Sequence, residues 1–250
     1  MAISYRGAAL PSFIKVKSVN FSALPKINLM TTNVPQRAGV IYSGTTLGER
    51  FISLEVAIVK IDNRSPMVLA EELAEWLRGT DLKGFGAGEL ILDDNPSKLF
   101  YAIISNEVPI SDLISVGEGV IDFMLAAPHS YSAALYKNNF SDPSFTVGYS
   151  GTAPFYPLVK FTLAEGVTDP RIDDVVTGDS IKLVGSFPAG TVIEIDNEGK
   201  KVKIDGALSM DKIDLSSEWL YLTKYKSNSF SVVPASAISS LEFTFREAYI

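Results

Sequence analysis

The sequence predicts a mainly β protein built as two β-sandwich-like domains, the first with a single packed α-helix. Three observations lead there. Most apolar stretches alternate with polar residues at period 2, the mark of half-buried strands. Residues 65–79 alone carry an apolar stripe at helical spacing. Between the halves, residues 136–157 (YKNNFSDPSFTVGYSGTAPFYP) are rich in Asn, Ser, Gly and Pro, with scattered aromatics and no sustained period. The division is therefore placed there: a first domain over 1–137, a linker over 138–153 and a second domain over 154–250.

In chain order, residues 13–21 (FIKVKSVNF) alternate as a strand, and residues 51–61 (FISLEVAIVKI) do so with Ile52, Leu54, Val56 and Ile58 on one face. The helix follows. Ser65 is a good N-cap and Pro66 suits the first helical position. Leu69, Leu73, Trp76 and Leu77 fall on one stripe, which should pack onto a sheet with Trp76 as a core anchor. Glu71, Glu72 and Glu75 lie off the stripe and partly in the first turns, and Gly79 is a plausible stop. Residues 90–92, 99–104 and 120–125 are short, β-rich and bounded by Gly, Pro or Asp.

After the linker, seven strands are expected, at 158–163, 180–184, 191–195, 201–204, 219–223, 229–233 and 241–246. Residues 195–200 (IDNEGK) form the clearest hairpin turn. About 100 residues of short strands without a helix predict a sandwich of jelly-roll type.

The totals exclude several classes of function. Of 250 residues 46% are apolar and 20% charged, enough for real cores and unlike a disordered chain. There is no cysteine, which removes disulfides, zinc–thiolate sites and a cysteine nucleophile. The first residues, MAISYRGAAL, lack the basic start and apolar run of a secretory leader. The longest apolar runs, such as 123–127, are too short to span a bilayer, so a soluble chain made in the cytoplasm is expected, without membrane contact. The net charge is −7, divided as −2 up to Lys137 and −5 beyond it. Neither half has the basic surplus that phosphate neutralisation needs, so no stable nucleic-acid binding is expected.

No motif carries catalytic chemistry, so no catalytic, metal or cofactor residue is assigned and no enzyme is expected. Residues 84–88 (GFGAG) precede a strand rather than a helix and lack the Lys-Ser/Thr of a phosphate loop, so they read as a connection. The single histidine, His129, has no nucleophile motif to serve, since Gly148-Tyr149-Ser150-Gly151 only approximates one. Asp93-Asp94 and Asp173-Asp174 are neighbours that a strand would point to opposite faces, and they read as solvated turns rather than a glycosidase or calcium pair. Residues 196–199 (DNEG) begin like a calcium loop, but its twelfth position would be Ala207. Trp219 and Tyr221, on one strand face with Tyr225 nearby, are equally a core element or a platform for sugar rings.

An ordered set of motifs resembles the distal tail protein family of long-tailed bacteriophages. Gln36-Arg37-Ala38-Gly39 and then residues 43–50 (SGTTLGER) lead into the strand at 51–61. The helix LAEELAEWL, Leu92-Asp93-Asp94-Asn95-Pro96, Phe100-Tyr101, Gly117-Glu118-Gly119, residues 128–132 (PHSYS) and the closing LEFTFREAYI follow in the family's order. The family often has glycine where this chain has Gln36. The resemblance implies a structural virion component of the tail tip or baseplate: a homohexameric ring formed through the N-terminal domain, with an extended β-hairpin within residues 35–55 reaching the next subunit. It implies a galectin-like C-terminal domain facing outward and a central channel open to DNA, expected to be lined by acidic or neutral side chains. The implied partners are the tail tube protein, a tail-associated lysin or tail hub protein, and receptor-binding or baseplate proteins. The implied subunit contacts include Arg37, Tyr42, Leu47 and Arg50. Two other classes remain open at this point, a sugar-binding β-sandwich module carried by Trp219 and Tyr221, and a cell-wall hydrolase supported only by generic carboxylates.

Overall fold

The structure, a computed structural model, describes residues 3–59, 64–79, 86–108 and 117–250. The chain divides into two compact units, Met1–Tyr131 with Ile250, and Ser132–Tyr249. The first holds β1 (Ile3–Tyr5), β2 (Ala8–Ala9), β3 (Ile14–Phe21), β4 (Ile27–Asn33), β5 (Val40–Leu47), β6 (Arg50–Ile58), α1 (Pro66–Arg78), β7 (Gly88–Leu92), β8 (Lys98–Ile104) and β9 (Glu118–Leu125). β10 (Ser130–Ser132) runs across the division.

The main sheet of the first unit is antiparallel along the order β2-β1-β7-β8-β9-β6-β3. β6 lies between β3 and β9, and its inward residues Ile52, Leu54 and Val56 are buried as their alternation predicts. Ile58 is only partly covered, and residues 60–61 of the expected strand lie outside the described residues. The start of the glycine-rich run, residues 84–85, lies outside them too.

The helix forms where its caps place it. Ser65 Oγ accepts the Val68 N–H at 3.4 Å. Gly79, at φ +69°, donates its N–H to the Glu75 carbonyl at 2.8 Å, and the left-handed backbone there favours glycine. Leu69, Leu73, Trp76 and Leu77 are buried among Tyr5, Phe13, Leu90 and Phe123. Trp76 meets Tyr5 edge-on at 5.8 Å and donates its indole N–H to the Ala8 carbonyl at 3.0 Å, which satisfies its polar atom. The carboxylates differ from expectation. The first turn holds no acid, so Glu71, Glu72 and Glu75 lie beyond the reach of the helix N-terminal dipole. Glu72 instead pairs with Arg64 at 2.5 Å.

The second unit holds β11 (Tyr136–Phe140), β12 (Ser144–Thr146), β13 (Leu158–Leu163), β14 (Val167–Thr168), β15 (Arg171–Asp174), β16 (Ser180–Lys182), β17 (Ser186–Phe187), β18 (Val192–Asp196), β19 (Lys201–Ile204), β20 (Ala207–Leu208), β21 (Ser229–Val233), β22 (Ile238–Phe245) and β23 (Ala248–Tyr249). Two antiparallel sheets, β11-β22-β13-β18-β19-β20 and β12-β21-β15-β16, contribute to one core. Phe161, Ile193 and Phe243 come from one sheet, and Phe145, Ile172 and Phe230 from the other. This is a β-sandwich, as the strand spacing predicts.

Two expectations for this half fail. Residues 138–153 are not a linker: β11 pairs with β22, and β12 with β21, inside the sandwich. Phe145, Val147 and Tyr149 are buried at period 2, a strand signal obscured by the Asn, Ser, Gly and Pro around it. Residues 219–223 are not a regular strand. They form a single bridge in which Phe155 and Leu222 exchange backbone hydrogen bonds of 3.0 and 2.7 Å, with Leu220 and Leu222 turned into the core. The hairpin at residues 195–200 is present, with Asp196 opposite Lys201.

Candidate oligomer interface

The first unit carries one element that its core does not explain. β4 and β5 pair with each other over seven residue pairs, from Ile27 opposite Leu47 to Asn33 opposite Val40. Among the described residues no other strand joins them. β4 is exposed along its whole length and β5 everywhere but Gly44. An isolated two-stranded ribbon is marginal in water. This one also exposes Ile27, Leu29, Met30, Val40, Ile41 and Tyr42, with Leu29 63% and Tyr42 60% accessible. A contiguous apolar surface of this kind marks an interaction site.

The hairpin therefore starts earlier than the resemblance implies. The expected span, residues 35–55, contains only the returning arm, while the outgoing arm is Ile27–Asn33. That arm has no buried face, so no alternation of burial betrays it. Its base is stitched by Gly48 N–H to the Lys26 carbonyl at 2.7 Å. A Cβ at Gly48 would lie 2.8 Å from the Asn28 side-chain amide, an exposed group free to move aside, and 3.4 Å from the Lys26 carbonyl. At the tip, Gln36 adopts φ +64°. A left-handed backbone favours glycine at this position, and a non-glycine residue there stores about 1 kcal/mol of strain.

The four proposed contact residues are not one cluster. Arg37 lies exposed in the tip turn, where its N–H donates to the Val34 carbonyl at 3.2 Å. Tyr42 is exposed on β5, its hydroxyl hydrogen-bonded to that of Thr45. Leu47 is exposed at the base. The arms separate tip from base by about 20 Å at strand rise. Arg50 departs from the rest: it opens β6 and is only 6% exposed. Its Nε donates to the Ser22 carbonyl at 3.0 Å, and its guanidinium lies 5.6 Å from the centre of the Phe21 ring. Burial lowers its pKa. An open groove of about 640 Å³ adjoins it, lined among others by Phe21, Leu24, Lys26, Glu49 and Phe51. Phe21, Leu24 and Phe51 were not anticipated, because the groove forms only when the β3 end and the β6 start meet.

His129 is half-buried, and its Nδ1 has no hydrogen-bond partner among the described residues. Burial, then the charge of Arg50, holds its pKa below the ordinary 6.5. The unfolded chain therefore takes up this proton at a higher pH than the fold does. Its contribution to stability is present above about pH 6.5 and is lost as pH falls from there to the folded pKa. Urea midpoints measured down this range should fall less for His129→Gln than for the parent.

The other polar motifs fold as structure. Asp93 and Asp94 lie in the exposed turn between β7 and β8. Asp174 is not a solvated turn residue but 1% exposed. It is ion-paired with Lys226 and accepts the Val176 and Thr177 N–H groups at 2.9 and 3.2 Å. Asp173, on the other strand face, pairs with Arg171 at 3.1 Å. The Asn197 amide donates to the Pro157 carbonyl at 2.7 Å and accepts from Leu220 N–H at 2.9 Å, holding the DNEG turn in place. No group of three or more metal-ligating side chains occurs among the described residues, and no helix there is long and apolar enough to cross a membrane. Trp219 packs against the sandwich core, Lys226 covers Tyr221 at 4.4 Å, and Tyr225 stands 77% exposed.

Comparison with known proteins accounts for both units. The profile of the phage tail protein RIFT-related domain matches residues 10–125, and that of the siphovirus-type tail component, C-terminal domain, matches residues 150–249. The crystal structure of the Dit protein of phage SPP1, described as a paradigm of the hub adsorption apparatus in phages infecting Gram-positive hosts, is 15% identical. It superposes with a TM-score of 0.77 over 100% of this chain and 99% of its own. A chain of the activated phage P2 baseplate with calcium is 10% identical over 92% of this chain and 90% of its own, at a TM-score of 0.48. No curated protein matches in sequence. With the two profiles together covering most of the chain, it belongs to the distal tail protein family of siphophages.

Proposed function

We propose that this protein is the structural hub of a phage tail tip, a homohexameric ring that joins the tail tube to the host-adsorption apparatus. The observation that carries the reading is the β4–β5 hairpin, an apolar arm with no core of its own in a unit matched by a tail-protein domain. An arm that is covered by a different surface of the next copy makes a heterologous contact, and such contacts form a ring when the rotation between copies closes. The second unit presents a sandwich suited to carry receptor-binding or baseplate proteins, while the tube protein and a tail-associated lysin or hub protein meet the ring along its axis. The role is structural rather than enzymatic, and its place is the virion tail.

Six chains of net charge −7 carry about −42, which favours a channel that lets DNA pass without holding it. A sugar-binding reading has less support, because Trp219 packs on the sandwich core instead of standing out as a platform. Light scattering after size exclusion tests the ring. Six copies of the 27.1 kDa chain give about 163 kDa, alone or with tail partners. A chain that stays at 27.1 kDa in both settings overturns the ring.

A further inference from the structure

The side chain of Arg50 is largely enclosed at the root of the hairpin, and its terminal amino groups open on the groove. Its Nε is used by the Ser22 carbonyl at 3.0 Å, and one face lies against Phe21. The adjacent carboxylate, Glu49, is engaged elsewhere, by Lys26 at 3.2 Å. Among the described residues no carboxylate comes within ion-pair distance of Arg50, and no acceptor meets its two terminal amino groups. These amino groups are not sealed from solvent but open on the groove, where they are available to an anion. The fork of donors left over matches a carboxylate in bidentate geometry. The groove in front of it has apolar walls, with Phe21, Leu24 and Phe51 each about half exposed.

We propose that this groove receives a segment of a second copy of this chain in which an aspartate or glutamate is flanked by apolar side chains, the carboxylate closing on Arg50. Two observations favour a second copy as the occupant. The groove is continuous with the hairpin, whose base at Lys26 and Glu49 forms part of its lining. The chain also carries 29 acidic against 22 basic side chains, so its own surface is a ready source of the missing anion. The inference rests on the ring reading: it makes the root of the arm, not only its length, part of the subunit contact.

The experiment compares the parent with Arg50→Met and Arg50→Lys by sedimentation equilibrium over a range of concentration and salt. Urea unfolding of each dilute, dissociated protein runs alongside. Arg50→Met should weaken subunit association at least tenfold and flatten its salt dependence, while the dissociated chain unfolds at the same or a higher urea concentration. Arg50→Lys keeps the charge but loses the fork, and should fall between. If Arg50 serves only the Ser22 carbonyl, the dissociated Met variant is destabilised and association of folded chains is unchanged, which overturns the inference and leaves the ring intact. Should Arg50→Met fail to fold, the Lys variant decides: weakened association with an unchanged fold supports the groove, and unchanged association overturns it. A parent that never associates removes both readings together.

Discussion

Replacing Leu73 by aspartate is expected to unfold the N-terminal unit. Leu73 is 3% exposed on the inward stripe of α1, between Leu69 and Trp76, in the same cluster as Tyr5, Phe13 and Phe123. Removing a buried leucine costs about 2–5 kcal/mol from lost transfer and the cavity left behind. Burying a carboxylate, or protonating it to avoid that, adds several kcal/mol more. The sum reaches the whole stability of a typical domain, about 5–15 kcal/mol. Leu73→Met, which conserves volume, should cost less than about 1.5 kcal/mol. Circular dichroism melts of the two variants beside the parent check the pair of outcomes. An aspartate variant that melts with the parent would place the stripe on the surface and refute the packing.

Lys226→Met is expected to destabilise the C-terminal unit strongly. Asp174 is almost fully enclosed, and Lys226 is its ionic partner. Breaking a buried pair from one side costs about 3–5 kcal/mol, because the other charge is left uncompensated. Here the carboxylate keeps the Val176 and Thr177 N–H groups, so the lower end of that range applies. With a urea slope of about 1–3 kcal/mol/M, the unfolding midpoint should fall by about 1 M or more. The double variant Asp174→Asn with Lys226→Met removes both charges and should recover much of the loss. A single variant that unfolds at the parent midpoint would show that the pair contributes nothing.

How legible each part was depends on whether one face of it is buried. β3 and β6 alternate because the sheet has an inside, and α1 shows its stripe because Leu69 and Leu73 must meet that inside. β4 has no inside, so Ile27, Leu29 and Met30 left no periodic trace. β12 has one, but Phe145, like Val147 beyond it, stands among turn-forming residues and reads as part of a connection. Leu47 of the returning arm lies in the SGTTLGER segment and Tyr42 just before it, and periodicity points to neither. The burial of Arg50 gave no signal, because it depends on Ser22 and Phe21 closing over it from another strand. Trp219 stays open between core and surface in the sequence, because only the fold shows it partly buried against the sandwich core.

The arm has a genetic consequence. In the proposed ring each copy is a donor through its hairpin and an acceptor through another surface, so a copy without the arm still accepts its neighbour. Such a copy enters a growing arc and then offers nothing to the next one. A heterologous ring needs every joint to close. With half of the copies armless and mixing at random, only about one arc in 64 would contain six competent copies. Loss of the hairpin should therefore behave as a dominant defect, poisoning assemblies in a cell that also makes the intact chain, whereas loss of the acceptor fold would simply remove a copy from the pool.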